Sequence, residues 1–149
     1  MTVEQQIPRP AAALRQSYEA TLFEVLEAAP AVFRIGDGGT CIDAWLASVG
    51  ARSACIITAW NPFSASTLPE QNHARQQRLL ASIEAASLRW LPAQGRDPSG
   101  EWPPEPSLCV LDMDEHQIDA WLQEFEQYAA VVLIHFEGCH LRWHPGVTL

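Results

Sequence analysis

Apolar residues recur along this chain in two rhythms, one with helical spacing and one in short unbroken runs. From about Ala11 to Ala29, Leu14, Tyr18, Leu22, Val25 and Ala29 fall on one helical face with Glu19, Glu24 and Glu27 on others, predicting an amphipathic helix ended by Pro30. Ala31 to Ile35 is short and apolar, and Gly36-Asp37-Gly38-Gly39 follows it, so a strand and a turn are expected. Thr40 with Asp43 can cap a short helix that packs Ile42, Trp45, Leu46 and Val49 and closes at Gly50. The strongest run is Ala54 to Trp60, which suits a strand covered on both faces and stops at Asn61-Pro62.

After that strand, Thr67 and Glu70 have the spacing of a capping box, and Pro69 suits a first turn, predicting a helix to about Ser87. Its inward stripe begins polar, with Asn72 and Gln76 and with Arg75 beside them, and turns apolar at Leu79, Ile83 and Ala86. A stripe of that kind points its polar end at a cavity or at solvent. Strands are expected near 89–94 and 107–111, joined by a proline-rich loop over 95–106. Asp114 with Gln117 caps a helix carrying Ile118, Trp121, Leu122 and Phe125, and the apolar run 129–136 turns at Glu137-Gly138 into a last strand over 139–143.

From Ser53 onward the order is strand, helix, strand, strand, helix, strand, the pattern of a split β-α-β (ferredoxin-like) unit. The fold class is therefore α+β, an α/β sandwich on a mixed or antiparallel sheet, preceded by a helix-strand-helix segment. At 149 residues and 48% hydrophobic the chain is the size of one domain, expected over 11–149 behind a flexible stretch at 1–10.

Charge narrows the partners. Nine basic residues stand against 18 acidic ones, a formal charge of -9 that repels phosphodiester backbones and anionic lipid, so nucleic acid and membrane partners are disfavoured. The opening MTVEQQIPRP has neither a basic nor an apolar signal region, and a cytoplasmic location is expected. Cys41, Cys55, Cys109 and Cys139 lack C-x-x-C spacing and read as reduced core residues. No G-x-S-x-G, H-E-x-x-H, phosphate-binding or dinucleotide-binding motif is present, so no cofactor is expected.

In a split β-α-β topology the end of the central strand, the start of the following helix, the 95–106 loop and the end of the last helix meet on one edge. Trp60, Asn61, Asn72, Arg75, Trp102, Glu105, Ser107 and Gln127 are thereby gathered as a candidate polar site. Glu105, stiffened by prolines beside Trp102, is the candidate acid–base group, its pKa raised by desolvation or lowered by Arg75. Asn61, Asn72 and Ser107 could orient a ligand or polarise a carbonyl or phosphoryl oxygen. Taken singly, each is equally an ordinary turn, helix-start or loop residue. A Ser64 or Ser107 nucleophile with His73 as base finds little support.

A second cluster is His135, Cys139, His140 and His144. A two-residue turn at Glu137-Gly138 would pair His135 with His140 and Val132 with Trp143, placing His135, His140, Arg142 and His144 on one half-wet face. Two cross-strand histidines hold a metal only if a third ligand arrives, and the Arg142 cation opposes it, so no metal is expected there.

ITAWNP at 57–62, Asn72 with the arginines behind it, Gly95 through Trp102 to EPS at 105–107, and Gln127 resemble a family of short bacterial proteins known as domain of unknown function 3293. The resemblance runs over about residues 20 to 136 and departs from the pattern at Pro103-Pro104. It implies that Asn61, Pro62, Asn72, Trp102, Glu105, Pro106, Ser107 and Gln127 are the residues the family features, and it carries no activity. The residues thus point to a domain with a polar small-ligand site, with acid–base catalysis open to Glu105. The alternative is a non-enzymatic protein-interaction or regulatory module presenting Trp60, Trp90, Trp102 and Arg75 to a partner.

Overall fold

A computed structural model describes residues 7–147. Helices α1 (Leu14–Ala20), α2 (Gly39–Ser48), α3 (Pro69–Ala85) and α4 (Glu115–Glu124) alternate with strands β1 (Leu22–Val25), β2 (Ala31–Phe33), β3 (Ser53–Ile57), β4 (Trp90–Arg96), β5 (Glu105–Leu111), β6 (Ala129–Ile134) and β7 (Gly138–Trp143). The strands form one sheet in the order β2-β1-β4-β5-β3-β6-β7, and every neighbouring pair is antiparallel. Its inner part, β4-β5-β3-β6, is the split β-α-β arrangement with β3 between β5 and β6, and the fold is α+β.

Strand alternation divides the interior in two. Cys55 and Ile57 of β3 point toward α3 and α4, where they pack with Leu79, Ile83, Leu122 and Phe125. Ala54 and Ile56 point the other way, into a core with Phe23, Phe33, Trp45, Leu46 and Leu133 that α2 covers. The sheet curls toward closure around this second core. The loop after β2 reaches the opposite edge strand, where Gly36 N–H donates to the Cys139 carbonyl at 2.9 Å and Cys139 N–H donates to the Asp37 carbonyl at 3.0 Å. No helix among the described residues is long and apolar enough to cross a membrane.

The N-terminal region departs from the sequence reading. The helix expected over 11–29 stops at Ala20, and Leu22–Val25 is a strand laid between β2 and β4. Seven residues of helix bury nothing fully. As a strand, the next four bury Leu22, Phe23 and Val25 and satisfy the free edge of β4, so long-range pairing overrides helical spacing. Of the 1–10 stretch, residues 1–6 lie outside the described residues, and the Pro8 carbonyl accepts a hydrogen bond from the Tyr128 hydroxyl at 3.0 Å.

Two caps also differ. No side chain caps α3, whose N-cap is Leu68, because Thr67 turns its hydroxyl to the Ala65 carbonyl; Pro69 does open the helix. No side chain caps α2 either, since Asp43 accepts the Phe136 N–H instead. The Asp114–Gln117 capping box forms in full.

The final hairpin pairs three residues away from the expected register. Val132 faces His140 rather than Trp143, and His135 sits in the connection instead of opposite His140. His140 and Arg142 still share a face, where Arg142 grips Asp119 of α4 through both carboxylate oxygens at 2.8 and 2.9 Å. That guanidinium holds the Asp119 carboxyl below its usual range. His144 is buried rather than wet, its Nδ1 accepting the Gly146 N–H, and burial pushes its pKa down. No group of three or more His, Cys, Asp or Glu side chains among the described residues is arranged to hold a metal ion.

The register follows from Gly138. Its φ is +86°, and a Cβ there would stand 2.3 Å from the Asp37 carbonyl oxygen. Gly36 has a comparable φ of +96° but open space around it. Gly138→Ala is therefore expected to cost about 3 kcal/mol or more, and Gly36→Ala only the backbone strain of about 1 kcal/mol. Urea unfolding checks this, and equal losses would mean that the Asp37 loop does not press on Gly138.

Candidate functional site

The site begins where β3 leaves the sheet. Its pairing with β5 ends at Ile57 and Leu108, yet β5 starts at Glu105, so Glu105, Pro106 and Ser107 have β4 on one side and no strand on the other. The departing segment Thr58–Asn61 still carries backbone donors and acceptors that burial would make costly if left unpaired, about 1–3 kcal/mol each. Three residues on one face of α3 meet them, at the i, i+3, i+4 spacing that brings side chains together. Gln76 Oε1 accepts the Ala59 N–H at 2.9 Å, and Arg75 Nε donates to the Ala59 carbonyl at 2.7 Å. Asn72 Oδ1 accepts the Asn61 N–H at 2.8 Å, and its Nδ2 donates to Asn61 Oδ1, also at 2.8 Å. On the β5 side, the Thr58 hydroxyl and Gln76 Nε2 both donate to the Pro106 carbonyl.

This divergence of β3 from β5 opens a cavity of about 290 Å³ on the face opposite α3 and α4, with Leu14, Ser17 and Tyr18 of α1 lining its outer side. Among the residues singled out from sequence, Trp60, Asn61, Trp102, Glu105, Ser107 and Gln127 line it together. Asn72 and Arg75 do not. Asn72 is 2% exposed and locked to Asn61, while Arg75 spends its guanidinium on the Ala59 and Phe125 carbonyls and on Glu126 at 3.5 Å. Both stand behind the segment that carries Trp60 and Asn61, on the other face of the sheet.

Glu105 alternates with Ser107, Cys109 and Leu111 along β5, which fixes its side chain on the cavity face. Among the described residues its carboxylate has no hydrogen-bond or ion-pair partner, and burial pushes its pKa up to about 7. Burial, not the Arg75 charge, is what moves it. Tyr18 lies close enough to feel that carboxylate: its hydroxyl is pushed up, first by burial and then by the negative charges of Glu105 and Tyr128.

The neutral polar groups around the cavity are partly committed. Gln127 Nε2 donates to the Trp60 and Phe125 carbonyls at 3.1 and 3.0 Å, leaving Oε1 without a partner among the described residues. Asn61 Oδ1 is taken by Asn72 and by the Thr67 N–H, leaving Nδ2 likewise unpartnered. The Ser107 hydroxyl donates to the Glu105 carbonyl at 3.3 Å. Asn61, Phe63 and Ser64 all hold positive φ, at 47°, 47° and 60°. Such backbone costs of order 1–3 kcal/mol per residue and persists where surroundings fix it. Here the Phe63 N–H donates to the Glu126 carbonyl at 2.6 Å, and the Phe63 ring packs on Tyr128 at 5.1 Å.

Tyr18, Thr21, Phe23 and Gly95 line the cavity without having been singled out as site residues. Leu14 and Tyr18 carried the signal of an inward face, but it reads the same for a core as for a cavity wall. Gly95 was assigned to a loop. It lies in β4, directly between Phe23 and Glu105, where glycine within a strand marks room left for something else.

Fold and site together define an antiparallel α+β domain with a half-open, acid-bearing cavity. Residues 57–130 match the family model described as Protein of unknown function (DUF3293), and over that segment the chain resembles that family. No curated protein and no solved structure gives a match. The matched segment contains Trp60, Asn61, Trp102, Glu105, Ser107 and Gln127, whereas Tyr18 and Phe23 come from outside it.

The raised pKa of Glu105 has a signed effect on stability. Below its ordinary value of 4.5 the carboxyl is protonated in folded and unfolded chains alike and contributes nothing. Between 4.5 and about 7 the unfolded chain ionises first, so stability falls as pH rises, and above about 7 the loss is constant. For this half-buried group the loss is about 2–3 kcal/mol. Glu105→Gln should therefore melt with the parent protein near pH 4.5 and roughly 4–10 °C above it at pH 8, read by calorimetry. A difference that does not vary with pH would contradict the burial of an unpaired carboxylate.

Proposed function

We propose that this protein binds a small polar molecule in the cavity between α1, the Thr58–Asn61 segment and β5, with Glu105 as its acid–base group. The observation that carries this reading is the lone carboxylate: a group that costs folding free energy, faces a cavity and has no partner among the described residues is better explained by a ligand than by structure. A volume of about 290 Å³ sits at the lower edge of the sites that take small molecules, roughly 300–1,000 Å³. Aromatic walls from Tyr18, Phe23, Trp60 and Trp102, interrupted by Asn61, Ser107 and Gln127, fit the usual balance of apolar lining and a few polar contacts.

With a pKa near 7, Glu105 exchanges its proton readily at neutral pH, which suits proton transfer to or from a bound molecule. The strained turn at Asn61–Ser64, held from behind by Asn72, would keep Trp60 and Asn61 in position as the ligand enters. A formal charge of -9 is in keeping with a cytoplasmic protein that works on a small molecule rather than on nucleic acid or a membrane surface.

Gly95 supplies the test. A Cβ added there meets Thr21 at 3.5 Å and Phe23 at 3.9 Å, ordinary contact, so Gly95→Ala is accommodated, and Gly95→Val, its folding checked by circular dichroism, sets two further carbons in the space beside Glu105. In a thermal-shift screen of small metabolites, compounds that raise the parent melting temperature by a few degrees should lose that effect in Gly95→Val. Compounds that stabilise both proteins equally would place binding elsewhere.

A further inference from the structure

The polar groups left unpartnered around the cavity are not evenly matched between donors and acceptors. Glu105 presents two carboxylate oxygens, Gln127 presents Oε1 because its amide nitrogen is already bound to two carbonyls, and the Ser107 oxygen keeps lone pairs after donating. Against these acceptors stand the Nδ2 of Asn61 and the hydroxyl of Tyr18. Thr58 is spent, its oxygen donating to Pro106 and accepting the Trp60 N–H. No lysine, arginine or histidine lines the cavity among the described residues. Arg75, the nearest cation the sequence offered, is bound behind the sheet.

Resting on the ligand-site reading above, we infer that the cavity selects an organic cation rich in N–H donors, of the amine, amidine or guanidine class. Two or three N–H bonds from one such group can reach Glu105 and its neighbouring acceptors together, as planar amidinium and carboxylate geometry favours. Tyr18 and Trp60 add aromatic rings to the same lining, the residue type that cations favour. The acidity of the whole chain, with 18 acidic and 9 basic residues, attracts cations and repels anions before contact.

Ionisation of Glu105 then controls occupancy. From α1 the titratable group facing it is Tyr18, held neutral because its hydroxyl is pushed up. From β1, β3, β4 and β6 come Phe23, Ile56, Gly95 and Val131, none of which titrates, and Trp102 comes from the loop before β5. Tyr128, the other negative influence on Tyr18, gives its hydroxyl to Pro8.

Benzamidine, benzamide and benzoate are near-isosteric probes of cationic, neutral and anionic character, and an amidinium stays charged from pH 5.5 to 8.5. Isothermal titration calorimetry should show benzamidine binding at pH 8.5 and binding roughly 30-fold more weakly at pH 5.5, where the carboxyl with a pKa near 7 is protonated. Glu105→Gln at pH 8.5 should bind as weakly as the parent does at pH 5.5, Gly95→Val should not bind, and benzoate should bind less tightly than benzamidine at both pH values. Benzamide or benzoate binding as tightly as benzamidine, and lost in Gly95→Val, would overturn the cation preference while leaving the ligand site intact. Benzamidine binding that survives Gly95→Val, or that ignores pH and Glu105→Gln, would also overturn it. Absence of binding by all three probes would overturn both readings.

Discussion

The interaction on which the rest depends is the capture of the Thr58–Asn61 backbone by α3. A strand that leaves its sheet inside a protein strands its N–H and C=O groups, and they must find partners or the segment must rejoin the ladder. Asn72, Arg75 and Gln76 supply those partners from one helix face, so the half-buried segment is held in place without β5 beside it. Because it is held apart from β5, Glu105, Pro106 and Ser107 lose a neighbour, and the gap becomes a cavity.

The same arrangement divides labour between the two faces of the sheet. Toward α3 and α4, Asn72, Arg75 and Gln76 are committed to backbone, Arg75 tying the end of α4 to the strand tail, and the amide nitrogen of Gln127 clamps Trp60 to Phe125. Toward α1 the polar ends are left free, and the lone carboxylate sits there at an energetic cost that the well-packed opposite face offsets. Rigidity behind and unpaired chemistry in front is the condition for a preorganised site. The short α1 brings the remaining wall, with Tyr18 fixed edge-on against Trp143 at 5.8 Å.

Much of the fold was legible because β3, β5 and β6 contain apolar runs that burial on both faces explains, and because the helices between them keep one spacing throughout. The capping box at Asp114 and Gln117 needs four residues and no tertiary help, and it forms as expected. The candidate cavity was legible in part for the same reason: topology alone brings the end of β3, the start of β5 and the turn after α4 to one edge. Leu22–Val25 was misread as helix because the strand that holds its inner edge lies at 93–96, about seventy residues on and out of reach of any local window. The last hairpin slipped because its register answers to the Asp37 backbone, about a hundred residues earlier in the chain.

What the sequence determined by itself, then, is periodicity: most of the helices and strands from Ser53 onward, and the edge on which Trp60, Glu105 and Gln127 gather, although Glu105 was read as part of a loop and joins β5 only in the structure. What only the tertiary structure decided is which polar groups are spent. Asn72 and Arg75 look the same in sequence whether they face a ligand or a backbone, and a carboxylate looks the same whether it meets a cation or nothing. Hydrogen-bond partners are assigned by three-dimensional proximity, and the structure gives Asn72 and Arg75 to the strand tail while leaving Glu105 unpaired.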